Sequence, residues 1–293
     1  KGTAKSILAS AYLHMAGYPV NDASGYALAA QKAKEVIDNA GAYGYRLLDD
    51  YQELWLDNQK HDELVFGAFF DPGSGSPTYR APMMGQPGDE DGWDEYFCEI
   101  NFFNSFPEGP RKDASFQTEM KKNTGEFIPW QECLMKHPYY KKMRYANGSN
   151  TDNLYDHWEN TYYWSYSSNR TAQIMRFAEV KLIYAEAQAM AASPDASAYK
   201  EINEVRNRAG LADLTPGLSQ TDFRDSVIME RAWELAGPEQ GQRWFDLVRL
   251  ERVEQANSNR HADELPFVNQ PSKEFYFSPI PYQERVINPN LDL

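Results

Sequence analysis

Leu8, Ala11, Tyr12 and Met15 recur three or four positions apart and Gly17 follows them, so the chain opens on an amphipathic helix with a stop signal. After "YPVNDASG" the same spacing predicts a second helix with Ala30, Ala33, Ile37 and Ala40 on one face, ending at Gly41. Two Ala- and Tyr-rich helices joined by a short turn have the form of a tetratricopeptide-type hairpin. The pattern returns after a long gap. Phe177, Val180, Tyr184 and Ala187 mark one helix, "SPDAS" turns the chain, and Tyr199, Ile202 and Val205 mark the next, stopped by Gly210. A third pair runs from Phe223 to Leu235 and from Gln240 to Arg249. The expected fold is mainly α, with three helix pairs stacked as a scaffold.

Between the first and second pairs the periodicity disappears. "ELVFGAFF", Glu63 to Phe70, reads as a short strand. From there to Arg170 come Gly, Pro, Ser and Asn punctuation and scattered aromatics. Loops of such length inside a folded chain are usually functional or poorly ordered, and the aromatic content argues against disorder. The tail "FYFSPIPYQERVINPNLDL" carries too many prolines for a helix and reads as an extended segment laid over the body. The organisation expected is a single domain over 1–293: helices and a connection over 1–62, an irregular aromatic-rich insertion over 63–170, and helix pairs with an extended tail over 171–293.

Composition changes this picture in two ways. Of 293 residues, 14% are aromatic, including 19 tyrosines and seven tryptophans, more than a core of this size needs. Tyr and Trp suit surfaces that bind through a ring face. A net charge of −14 argues against nucleic acid as a partner and says nothing about a neutral ligand. Cys98 and Cys133 lack CxxC spacing, the five histidines are scattered, and no nucleophile elbow, P-loop or dinucleotide fingerprint occurs. No cofactor is implied. The opening "KGTAKSILAS" has neither an initiator Met nor a basic leader, so the natural beginning is expected to be absent.

Two stretches invite a chemical reading. "ERAWELAGPEQGQRWFDLVRL" places Glu230 and Glu234 at i and i+4, on one helix face. Glycoside hydrolysis needs carboxyls on opposite sides of the scissile bond, about 5–10 Å apart, which adjacent turns of one helix do not provide. Arg231, Arg243 and Arg249 stand ready to pair with Glu230, Glu234 and Asp246, so the stretch reads as a brace between two helices, with Trp233 and Trp244 as packing anchors.

The insertion is the better place for a ligand. "GQPGDEDGWDEYF" sets Trp93 and Tyr96 in a Gly-, Pro- and acid-rich loop, with Tyr79, Arg80 and Asp94 as companions. A sugar offers an apolar C–H face to a ring and hydroxyls to Asp, Asn or Arg. The competing use of Trp93 is to pin its loop to the scaffold. "DEDGWDE" has acids enough for calcium but lacks the spacing of an EF-hand loop. In "DHWENTYYWSYSSNR", Tyr162, Trp164 and Tyr166 alternate as one face of a strand, either a platform or a packed inner face. Trp130 stands with Tyr139 and Tyr140 in a locally basic region, either a solvated loop or a seat for an anionic ligand.

"RFAEVKLIYAEAQAM", "INEVRNRAGLADL", "ERAWELAGPEQGQRWFDLVRL" and "SPIPYQERVINPNLDL" resemble, in order and spacing, the C-terminal blocks of the SusD/RagB family. "KGTAKSILASAYLHM" resembles the first recognisable tetratricopeptide helix of that family, and "NSFPEGPRKDASF" its central block. The resemblance implies a surface-exposed outer-membrane lipoprotein of a Gram-negative bacterium that captures a nutrient, most often a glycan, above a TonB-dependent (SusC-like) transporter. It implies no catalysis, and Trp93 resembles the tryptophan of the family's binding loop. The segment that would carry the lipoprotein cysteine is expected to lie outside this chain. The alternatives are a peptide-binding member of the family, an all-helical glycan-cleaving enzyme, and a tetratricopeptide scaffold that binds only protein.

Overall fold

A computed structural model describes residues 1–56, 60–70, 78–79, 84–122, 124–143, 167–168, 171–237, 239 and 242–291. Among them are twelve α-helices: α1 (Gly2–Met15), α2 (Ser24–Ile37), α3 (Ala40–Tyr43), α4 (Glu53–Leu56), α5 (Ile100–Ser105), α6 (Pro110–Ser115), α7 (Phe177–Ala191), α8 (Ala196–Arg208), α9 (Gln220–Glu234), α10 (Gln242–Arg249), α11 (Val253–Asn257) and α12 (Tyr282–Ile287). The mainly α architecture and the helices of all three pairs are as the periodicity predicts. Side-chain caps fix three of the starts: Glu99 accepts from the Phe102 N–H at 2.6 Å, Asp195 from the Ala198 N–H at 2.9 Å, and Ser219 from the Asp222 N–H at 3.1 Å.

Helix α2 packs on its expected face, with Ala30 and Ala33 buried, but α1 packs on a different face from the one that Leu8 and Ala11 mark. Gly2, Ser6, Ala9 and Leu13 are buried in α1, whereas Leu8 and Ala11 face outward. Small residues win because the two helices lie very close: a Cβ on Gly25 of α2 would stand 2.4 Å from the Tyr12 carbonyl oxygen. Gly41 does not end α2, which stops at Ile37; it lies inside the separate turn α3. At the centre runs α7, against α1, α2, α8 and α9, with every residue from Phe177 to Ala187 buried.

Strand content is small and always two-stranded among the described residues. The predicted strand is β1 (Leu64–Ala68). The remaining strands are β2 (Thr78–Tyr79), β3 (Phe116–Gln117), β4 (Glu119–Lys121), β5 (Phe127–Pro129), β6 (Tyr139–Tyr140), β7 (Ser167–Ser168) and β8 (Ala172–Arg176). All pairs are antiparallel: β1 with β8, β2 with β7, β3 with β6, and β4 with β5. The pairing of β1 with β8 closes the insertion at its base and delivers Arg176 to the start of α7. The tail is not wholly extended, since one short helix, α12, follows Pro281. Proline is compatible there because the first helical N–H groups need no intrahelical acceptor.

Glu230 and Glu234 are fully buried, and their partners come from farther away than expected. Glu230 pairs with Arg111 at 2.5 Å and Arg206 at 3.0 Å. Glu234 pairs with Arg208 at 2.5 Å, Arg176 at 2.7 Å and Arg111 at 3.1 Å. Burial pushes the Glu234 carboxyl up, but the three guanidinium groups outweigh it and hold it at about 2. Glu63 joins through Arg176 and Arg208, both at 2.6 Å. Lys142 completes the cluster, donating to the Ala236 carbonyl at 3.0 Å with its ammonium over the Trp55 ring at 4.8 Å. Its burial pulls the amine down to about 7.

The expected brace between α9 and α10 exists, but at Asp246 alone. Arg231 reaches it at 2.7 Å and Arg249 at 2.9 Å, while Arg249 also grips Glu186 of α7 at 2.6 and 2.7 Å. Burial raises the Asp246 carboxyl, yet the two arginines bring it down to about 2. The nearby Glu179 is pushed up to about 7 by burial. Arg243 takes no part in this network.

Candidate ligand-binding site

The loop from Met84 to Phe97 is built by backbone approach and carboxylate pins. The Tyr96 and Glu95 N–H groups donate to the Met84 carbonyl at 2.9 and 3.0 Å, and Gly88–Glu90 forms one 3-10 turn. Gly92 is required, since a Cβ there would stand 2.0 Å from the Gln86 carbonyl oxygen. Asp91 and Asp94 take left-handed backbone, a conformation Asp tolerates better than most residues.

Three acids of the loop have a structural use. Asp89 accepts from the Leu134 N–H at 2.7 Å. The buried Glu90 accepts from the Gln117 amide at 2.9 Å and the Lys121 N–H at 2.8 Å. Asp94 accepts from the Gly88 N–H at 2.8 Å and from the Tyr139 hydroxyl. Burial and that carboxylate together push the Tyr139 phenol well above its ordinary range, so it stays a donor. Among the described residues no group of three or more His, Cys, Asp or Glu is arranged to hold a metal ion.

With the backbone fixed at both ends, Trp93 stands 38% exposed and Tyr96 36%. The Tyr96 hydroxyl donates to the Gly237 carbonyl at 2.8 Å and its ring lies 5.5 Å from Tyr140, joining the loop to the end of α9. The arrangement offers ring surface on a rigid support, with Asp94 acting as the pin beneath it.

The loop thus brings Trp93, Asp94 and Tyr96 together. Trp130 belongs to another cluster: it is half-buried, edge-on to Phe103 at 6.0 Å and packed with Met120, Ile128 and Cys133. The backbone of Tyr79 lies in β2, paired with Ser167. Its side chain, Arg80, and the aromatic run from Trp158 to Tyr166 lie outside the described residues.

Two cavities flank the loop's supports. One, of about 620 Å³, is lined by Phe103, Lys112, Phe116, Gln117 and Lys141, where Lys112 stands over the Phe103 ring at 4.5 Å. The other, of about 320 Å³, lies between Tyr96, Tyr140, Trp244, Arg243, Arg260 and Asn257. Trp244, expected as a packing anchor, is 40% exposed at this second cavity, whereas Trp233 packs near Phe106. No local spacing could have shown this, because the cavity's walls are more than a hundred residues apart in the chain.

The chain belongs to the SusD family, whose pattern it matches over residues 73–292. It is 27% identical to the SusD-like protein P2 of Formosa agariphila, an alignment covering 99% of this chain and 58% of the relative. Its fold is that of a SusD superfamily protein from Parabacteroides distasonis (TM-score 0.75, 24% identity, 99% of this chain and 61% of the other). It is also similar to surface glycan-binding protein A of Bacteroides uniformis (TM-score 0.66, 23% identity, 96% of this chain and 59% of the other). The chain therefore spans about three fifths of these relatives' lengths.

Proposed function

We propose that this protein binds a glycan at the bacterial cell surface as an outer-membrane lipoprotein and passes it to a TonB-dependent transporter. Trp93 supplies the stacking surface and Tyr96 extends it, with Tyr79 and Arg80 the candidates that the sequence offers for the sugar's hydroxyls. Membership of the SusD family supports the general role, and a structural relative carries the name of a surface glycan-binding protein. The observation that carries the reading is the 38% exposed Trp93 ring on a loop held in place by Asp89, Glu90 and Asp94. Rings kept in water on rigid backbone bind sugars with little loss of conformational entropy. Glycan cleavage is not part of the reading, because Glu230 and Glu234 lie fully buried among arginines and face no cleft.

The test is affinity electrophoresis against a panel of polysaccharides, with peptide mixtures as the competing ligand class. Retardation by a polysaccharide that is lost in Trp93→Ala supports the reading. Retention of peptides and of no polysaccharide overturns it in favour of the peptide-binding alternative.

A further inference from the structure

The 320 Å³ cavity beside Tyr96 has a charge feature found nowhere else among the described residues. Arg111, Arg176, Arg231 and Arg249 are buried and Arg208 is half-buried, and each meets at least one carboxylate. Arg243 is half-buried at the cavity wall, yet none of the described carboxylates forms an ion pair with it. The nearest acid in its electrostatic surroundings is Asp246, already engaged by Arg231 and Arg249. Burial accordingly disfavours the charge on Arg243, and Arg252 adds repulsion. A desolvated guanidinium left without a counter-ion is costly, and a ligand that brings the anion removes that cost.

The other charged groups at the cavity are already matched. Arg260 pairs with Glu264 at 3.0 Å, donates to the Leu265 carbonyl at 2.9 Å and lies over the Phe267 ring at 4.2 Å. Glu99 accepts from the Phe102 N–H at 2.6 Å and the His261 N–H at 3.0 Å. With Arg260 offset by Glu264 and Glu99 held by backbone N–H groups, Arg243 is the unmatched charge on the cavity wall. The remaining walls are Trp244, Leu235, Leu247 and Ala236, with the amides of Gln242 and Asn257 beside them. An aromatic wall, two amides and an unmatched guanidinium suit a sugar ring that carries an acid group. The volume lies near the lower end of small-molecule sites, about 300–1,000 Å³, and fits a short sugar unit better than a peptide segment.

We propose that this cavity is a subsite for an acidic sugar, a uronate or a sulfate ester, with Arg243 binding the anionic group and Trp244 supplying ring surface. The inference rests on the glycan-binding reading and narrows its substrate class. The sugar's hydroxyls meet Gln242 and Asn257, and Tyr96 links the subsite to the loop that carries Trp93.

Calorimetric titration of the wild-type chain with tri-galacturonate, a sulfated galactose oligosaccharide, neutral galactotriose and an acidic tripeptide tests it. The expected result is binding of at least one acidic sugar about tenfold or more tighter than the neutral one, with affinity falling as salt rises. Arg243→Gln removes that preference and Arg243→Lys restores part of it, while neither unfolds below the wild-type temperature, because Arg243 stands outside the buried ion network and its desolvated charge adds no stabilising pair. Asn257→Ala weakens acidic and neutral sugars alike and so separates the charge from the general sugar contact. Equal affinity for acidic and neutral sugars, or an unchanged preference in Arg243→Gln, overturns the inference; tighter binding of the tripeptide makes the cavity a peptide-carboxylate site instead. A neutral polysaccharide that depends on Trp93, without any acidic preference, removes the subsite and leaves the proposed function standing. Acidic sugar bound through Arg243, with no polysaccharide dependent on Trp93, keeps the subsite and removes Trp93 from the site.

Discussion

Arg176 and Glu239 meet side-on, with Nε 2.7 Å from Oε1 and Nη2 2.9 Å from Oε2, while the remaining nitrogen of the guanidinium bonds to Glu63 at 2.6 Å and Glu234 at 2.7 Å. One side chain thereby joins the strand that closes the insertion to the turn after α9. Arg176→Met is expected to lower unfolding stability by about 3–5 kcal/mol, because three buried carboxylates lose a counter-ion at once. Arg176→Lys recovers only a small part, since an ammonium cannot reproduce the two-pronged grip. Urea titration of the three proteins measures both effects.

Stability is expected to vary with pH in three windows. Glu234 and Asp246 sit at about 2 in the folded protein, below their ordinary 4.5 and 3.8, so the folded state binds fewer protons and loses stability as pH falls toward 2. Glu179 is displaced the other way, to about 7 from 4.5, so its contribution is complete below 4.5 and declines as pH rises to 7. Lys142 sits at about 7 instead of 10.5, so the unfolded chain binds the extra proton and stability rises between those values. Thermal unfolding of Glu179→Gln and Lys142→Met against pH should show the middle decline and the alkaline rise, respectively, flattened. An unaltered profile in either variant would refute its assignment.

Trp93→Ala is expected to weaken binding of the responsive polysaccharide about tenfold, the scale of a lost ring-stacking contact. Its unfolding temperature should stay near wild type, because the ring is substantially exposed rather than part of the core. A large drop in that temperature would mark Trp93 as a pin for its loop.

Asp94→Ala removes the acceptor of both the Gly88 N–H and the Tyr139 hydroxyl. A cost of about 1–3 kcal/mol is expected from leaving the buried hydroxyl unmatched, together with weaker ligand binding. Tyr139→Phe, which removes the donor as well as the need for it, should cost less. Chemical denaturation and affinity electrophoresis on the same two variants separate the loop's stability from its use.

The sequence carried the helices better than their surroundings. Phe177, Val180, Tyr184 and Ala187 mark α7 because their periodicity is local. Its burial on all sides was hidden, because Glu179, Lys181 and Glu186 look solvent-facing until Arg231, Glu204 and Arg249 arrive from other helices. In α1 Leu8 and Ala11 pointed to the wrong face, since Gly2 is pressed against the Tyr43 and Tyr45 rings and Gly25 of α2 against the Tyr12 carbonyl, contacts that favour small residues. Strand β8 was not distinguished because it runs into α7 without a break. The loop around Trp93 was visible in its glycines and acids. Its pin, Tyr139, lies 45 positions along the chain and leaves no trace in local spacing.

The buried charge cluster also orders events in time. Arg111, Arg176, Arg206 and Arg208 all precede the acids at Glu230, Glu234 and Glu239 that neutralise them. On the ribosome these four guanidinium groups emerge first and remain hydrated, with Glu63 as the one early acid of the set. The centre of the scaffold therefore closes only after residue 239 has been synthesised, and the loop that carries Trp93 gains its anchor at Gly237 at almost the same moment.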